Sequence, residues 1–221
     1  MSGKRKIGET RPKGRDAQRS KKAILGAAEE LFADHGFDGV SVGQIAAAAG
    51  LSRGAPNYFF GSKAQLYRSV LEQVFRDREE ATRRAFKPLM GWSRSEEGIS
   101  IDEALTGAID GYLDFLFARP SFSQLIQREE LARVNRLGDA SRQSKAIEEA
   151  FAAVREVGSR RGLQSFAVDD AVLLVVSLTF YPATQRSTFM ASLKRDLTDP
   201  AARRHHVRLV VDQVLHLIGA S

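Results

Sequence analysis

The segment from Leu31 to Tyr67, LFADHGFDGVSVGQIAAAAGLSRGAPNYFFGSKAQLY, restricts the fold more than any other part of the chain. Its glycines and serines cut it into three short helices and open a fourth. Gly36 follows a periodic apolar run and, being free to take a positive φ, can close the first helix. Ser41 starts the next one. Gln44 lies three residues on to complete a capping box, and Val40 can staple against Ile45. Gly50 ends that helix, and Leu51-Ser52 leads directly into another, with Ser52 as N-cap and Arg53 to Phe59 behind it. Two helices joined by so tight a turn cross at a steep angle. The second is then free to project from the domain, as a recognition helix does on entering a major groove. Gly61-Ser62-Lys63 restarts the chain with a second pair, Ser62 and Gln65, and opens a longer helix through about Arg84. The N-terminus of that helix suits a phosphate.

Phe60-Gly61-Ser62-Lys63 followed by Leu66-Tyr67, with Ile45-Ala46 five residues ahead of Gly50-Leu51-Ser52, resembles the N-terminal domain of the TetR family of bacterial transcriptional regulators. The match covers roughly residues 18 to 75. The resemblance implies an all-α chain: a three-helix DNA head whose second and third helices form the helix-turn-helix, a helical-bundle C-terminal domain that binds a small effector, and a homodimer. In that organisation residues 1–17 are a basic flexible arm, 18–64 the DNA-binding domain, and 65–221 the effector-binding and dimerisation domain. Carried over position by position, Ser41, Gly43, Gln44, Ser52, Arg53, Gly54, Ala55, Asn57, Tyr58 and Lys63 fall where family members touch DNA. Some depart from the common pattern. Gly43 stands where a long basic side chain is frequent, Ala55 where Ser or Thr is, and Asn57 where Tyr is. Pro56, where Leu or Ile is usual, removes an early backbone donor from the recognition helix. Of these residues Arg53 suits guanine, Asn57 or Gln44 adenine, and Tyr58 and Lys63 phosphate.

Charge is concentrated ahead of this head. Residues 1 to 22 hold nine basic side chains against Glu9 and Asp16, a surplus of seven, whereas the whole 221-residue chain carries only +6. The basicity therefore belongs to an arm, and an arm placed directly before a helix-turn-helix can track phosphates or enter a minor groove. The alternative is a solvated tail. No apolar core follows the basic residues as a secretory signal requires, the chain has no cysteine, and no apolar run approaches the roughly 18 residues that span a bilayer. These features predict a soluble, cytoplasmic protein without a membrane partner.

Beyond residue 85 the pattern stays helical. Lys87 to Ser100, with Pro88, Gly91 and Gly98, reads as a loop carrying Trp92. Asp102 opens a helix to about Ala118, Pro120 begins another carrying Phe122, Leu125, Ile126, Leu131 and Val134, and about Ser141 to Arg160 places Ile147, Phe151 and Val154 on one stripe. Ala171 to Tyr181 is apolar almost all the way round, so it is buried on more than one side. The last helix, about Ala201 to Ile218, presents Val207, Val210, Val211, Val214, Leu215 and Ile218 as a second apolar stripe. In TetR-like proteins the final two helices pair with their symmetry mates, and the resemblance carries that role to Val172–Phe180 and Val207–Ile218, with ordinary core as the competing reading. Tyr112, Phe115, Phe122, Phe151, Phe180 and Tyr181 gather aromatic surface on the middle helices and are the candidate lining of an effector pocket. Pro182 should bend or end its helix and free backbone carbonyls toward a ligand.

Enzymatic chemistry finds no support. The four histidines, His35, His205, His206 and His216, match no zinc motif, and the adjacent pair reads as a solvated helix face. Glu129-Glu130 and Asp169-Asp170 are sequence neighbours that diverge on a helix. There is no cysteine nucleophile, phosphate loop or nucleophile elbow. No catalytic residue, metal or cofactor is therefore expected. The chain reads as a dimeric repressor that binds a palindromic double-stranded operator and is released by a small, mainly apolar or aromatic effector. A helical ligand-binding or adaptor protein, with its head turned into a protein interaction surface, is the alternative.

Overall fold

The computed structural model describes residues 13–94, 100–132, 145–160 and 165–217. The expectations for residues 1–12, for Val134, for a helix start at Ser141 and for Ile218 lie outside them, as do the side chains of Trp92 and Ile147. The elements are α1 (Lys13–His35), α2 (Val42–Ala48), α3 (Ala55–Phe60), α4 (Lys63–Arg94), α5 (Ile101–Ala118), α6 (Pro120–Ala132), α7 (Lys145–Arg160), α8 (Ser165–Thr184), a π-helical turn (Arg186–Met190) and α9 (Pro200–Leu217). The described residues contain no strand. The chain divides into two compact units, Met1–Val70 and Leu71–Ser221, and α4 contributes to both.

In the first unit, Ile24, Ala28 and Phe32 recur at i, i+4 and i+8 along α1 and are wholly buried. Ile45 and Ala46 of α2 and Leu66, Tyr67 and Val70 of α4 complete that core. Phe32 meets the Tyr67 ring edge-on at 4.8 Å. The helix breaks fall at glycines with positive φ: 73° at Gly36, 66° at Gly50 and 81° at Gly61. The Ser41 box is formed in full: Ser41 N donates to Gln44 Oε1 at 2.8 Å, and Gln44 N donates to Ser41 Oγ at 3.2 Å. Ser62 and Gln65 repeat it at the start of α4.

The third helix starts later than Ser52. Ala55 N donates to the Ser52 carbonyl at 2.9 Å, which makes Ser52 to Ala55 a turn, and Gly54 is the N-cap. Pro56 falls in the first turn, where its missing N–H has no intrahelical partner to lose.

In the second unit the structure corrects the reading of Lys87–Ser100 as a loop, because α4 runs through Pro88 to Arg94. Pro88 deprives only the Arg84 carbonyl of its helical donor, and Arg84 is exposed, so water can replace it. Leu89 is buried in the core, and Phe86 and Met90 pack against it. Full burial of Leu89, worth about 1.5–3 kcal/mol, together with the partial burial of Phe86 and Met90, offsets a proline cost of about 3 kcal/mol.

The apolar stripe of α9 lies inside its own chain. Val207, Val210, Val211, Val214 and Leu215 are buried within this one chain, packed with Leu105, Ile109 and Leu113 of α5. These side chains are ordinary core, whereas Leu209 on the same helix is 38% exposed. α8 differs: Ala171 is buried, while Leu173 is 65% and Val176 44% exposed.

Another correction joins Pro182 to His206. Pro182 lies inside α8, which continues to Thr184, and the carbonyl it frees is that of Leu178, four residues earlier. That carbonyl faces no ligand space, because His206 Nε2 of α9 lies 2.8 Å from it. His206 is 6% exposed and is no solvated surface residue, unlike its neighbour His205. Desolvation holds its pKa below the ordinary imidazole value, opposed in part by this hydrogen bond.

Candidate nucleic-acid interface and ligand cavity

The short third helix gives its only buried residue, Pro56, to the head's core and turns its other side outward. Arg53, Asn57 and Tyr58 are all exposed, Tyr58 by 83%. A tyrosine so exposed contributes little to the folded head and is available to a partner. The Tyr58 ring stands edge-on to Phe59 at 5.0 Å. Ser41, Ser52 and Gly54 are exposed beside them, and Ala55 is half-buried.

Two of the carried-over positions have local duties. Gln44 Oε1 accepts from both the backbone N–H and the hydroxyl of Ser41, so its carbonyl end is occupied by the cap. Lys63 Nζ sits 4.5 Å from the centre of the Phe37 ring, a cation–π contact that holds the ammonium at the start of α4. The departure at Gly43 also has a spatial reason. A Cβ there would come within 3.6 Å of Arg53 Nε, so the Arg53 side chain lies back over α2 in the space that a longer residue would take.

In the second unit, α4, α5, α7 and α8, with Val214 of α9, line a cavity of about 60 Å³ walled almost wholly by apolar atoms. Tyr112 and Phe151, both anticipated, line it, together with Thr82, Phe86, Leu105, Ile109, Val154, Val172, Val175 and Thr179. The other four anticipated rings lie elsewhere. Phe115, Phe122 and Phe180 form an aromatic chain with Phe75, their centres 5.2 to 6.4 Å apart. Tyr181 is half exposed against Phe189, 5.7 Å away. The aliphatic lining was missed because periodicity cannot separate a wall from a core. Thr82 offered the one usable signal, a hydroxyl between Ala81 and Ala85 on the inward side of α4.

A protruding helix-turn-helix on a three-helix core, followed by a helical unit with an apolar cavity, defines a class: regulators that join a DNA-reading head to a ligand-sensing body. Residues 24–70 match the family model described as "Bacterial regulatory proteins, tetR family", and residues 102–214 match "Tetracyclin repressor-like, C-terminal domain". The chain belongs to the TetR family and is a DNA-binding transcriptional regulator, not an enzyme. It is 26% identical to the HTH-type transcriptional repressor NicS of Pseudomonas putida, over 94% of this chain and 96% of that protein. It is 43% identical to the HTH-type transcriptional regulator RutR of Escherichia coli over 65 residues, which is 29% of this chain and 31% of that protein. Among solved structures, the TetR-family regulator PfmR of Thermus thermophilus superposes with a TM-score of 0.62 at 21% identity, covering 87% of this chain and 93% of that one. A TetR-family regulator from Marinobacter aquaeolei gives 0.62 at 21% identity, covering 93% and 98%. These two likenesses concern the fold. Among the described residues no helix is long and apolar enough to cross a membrane.

Proposed function

We propose that the chain is a cytoplasmic repressor that binds a palindromic operator as a homodimer and is released by a small, mainly apolar effector held between α4, α5, α7 and α8. The observation that carries this reading is the exposed polar and aromatic set on and before α3, Arg53, Asn57 and Tyr58, on a short helix that gives only Pro56 to the buried core. Arg53 reads guanine, Asn57 reads adenine in preference to the capped Gln44, and Tyr58 and Lys63 contact phosphate. The repressing sign is supported by the printed function of NicS over nearly the whole chain.

One head spans only a few base pairs, whereas two heads related by a two-fold axis read half-sites about one helical turn apart. The exposed apolar residues Leu173 and Val176 of α8 supply the face on which the second copy docks. The cavity of about 60 Å³ is smaller than the roughly 300 Å³ or more of an ordinary ligand site. An effector therefore selects a wider packing of these helices and couples that packing to the heads. Selection of bound duplexes from a random library at physiological salt tests the reading. A two-fold symmetric site is the expected outcome, and recovery of a single asymmetric half-site would exclude the dimeric mode.

A further inference from the structure

Arg78, Thr82 and Phe86 follow one another at one-turn intervals on the inward side of α4. Thr82 and Phe86 line the cavity. Thr82 is 2% exposed, and its Oγ1 has no hydrogen-bond partner. Arg78 is 9% exposed, and its Nε also has none. The Arg78 guanidinium lies 4.6 Å from the centre of the Phe75 ring. The Glu79 carboxylate is 3.6 Å from Arg78, within ion-pair range but beyond a hydrogen bond, and its other oxygen accepts from Ala146 N at 2.9 Å. The charge of Arg78 also reaches the hydroxyl of Tyr112, another residue of the cavity wall, and burial lowers the pKa of Arg78.

Buried donors left unmade are costly, and two of them one turn apart on α4, Thr82 in the wall of the apolar cavity and Arg78 one turn before it, are complementary to a group that only accepts. We propose that the effector is a small monocarboxylate with a compact apolar body. Its carboxylate accepts from Thr82 Oγ1 and Arg78 Nε, and its body lies against Phe86, Ile109, Phe151 and Val172. A neutral hydroxyl or ketone could accept from the same donors but would bring no charge, and so only the weaker neutral hydrogen bonds, to a guanidinium whose Glu79 partner stands at 3.6 Å. A phosphate would bring a second charge into a wall that is almost entirely apolar. This assignment rests on the cavity being the effector site.

Calorimetric titration of the full-length protein at pH 7.5 with benzoate, benzamide and toluene separates the two claims. Benzoate is expected to bind at least about tenfold tighter than benzamide, as a charge-assisted hydrogen bond would give. Arg78→Gln should erase that preference. Thr82→Val keeps the shape and removes a hydroxyl that has no partner, so this variant folds whether or not the first does. It should weaken benzoate about fivefold and leave toluene unchanged. Equal affinity for benzamide, or benzoate binding untouched by both substitutions, overturns the carboxylate assignment. Toluene binding without a benzoate preference overturns it too, while leaving the cavity reading in place. No binding of any of the three overturns the cavity reading itself.

Discussion

His206→Leu should destabilise the second unit by about 2 kcal/mol, and the loss should be conditional on Pro182. In an uninterrupted helix the Leu178 carbonyl would accept from residue 182, but proline has no N–H to give. His206 Nε2, 2.8 Å away, is the donor that takes its place. The site is buried, so truncating the imidazole leaves an orphaned carbonyl, at a cost of about 1–3 kcal/mol. Part of that is returned by the apolar surface leucine adds. Pro182→Ala restores the helical donor, so His206→Leu made on that background should cost little. The two substitutions should therefore be non-additive by about 1–2 kcal/mol. Urea unfolding followed by helical circular dichroism, at one protein concentration, measures each midpoint with the slope as a check. Equal effects of His206→Leu with and without Pro182 would refute the argument. The same histidine sets a pH dependence. Its folded pKa is depressed, so as pH falls below the ordinary imidazole value of about 6.5 the unfolded chain takes up the proton first. Stability is full above that range and declines as pH drops through it, and His206→Leu should flatten the decline.

Gly61→Ala should cost about 1–2 kcal/mol, because φ is 81° and the new Cβ would meet Gln65 Oε1 at 2.3 Å, breaking the Ser62–Gln65 cap; thermal unfolding reads the loss. Arg53→Ala should weaken the selected operator by about 1–3 kcal/mol in fluorescence anisotropy and relax the preference at a single base position, with a much smaller effect on random duplex. Leu173→Glu puts a charge on an exposed apolar face, so it should leave the helical content unchanged while shifting sedimentation from dimer to monomer and weakening operator binding.

The head was legible because its structure is local. Gly36, Gly50 and Gly61 end helices through their own φ, and Ser41 and Ser62 begin them through glutamines three residues away, so position in the chain is enough. The start of α3 was misjudged by the same measure, since Ser52 is as good a cap on paper as Gly54; the turn closed by Ala55 N on the Ser52 carbonyl decides it. In the body, helix existence was legible from apolar periodicity, but the continuation through Pro88 depended on what Leu89 would bury against.

What the sequence determined by itself was the all-α class, the helix-turn-helix and its family, because caps, breaks and periodicity act over a few residues. Tertiary structure decided which apolar stripes are core, which rings face the cavity, and where the Leu178 carbonyl finds its donor. Each of those depends on groups far apart in the chain, Leu178 with His206 or Thr82 with Phe151, and no local rule encodes which distant neighbour arrives.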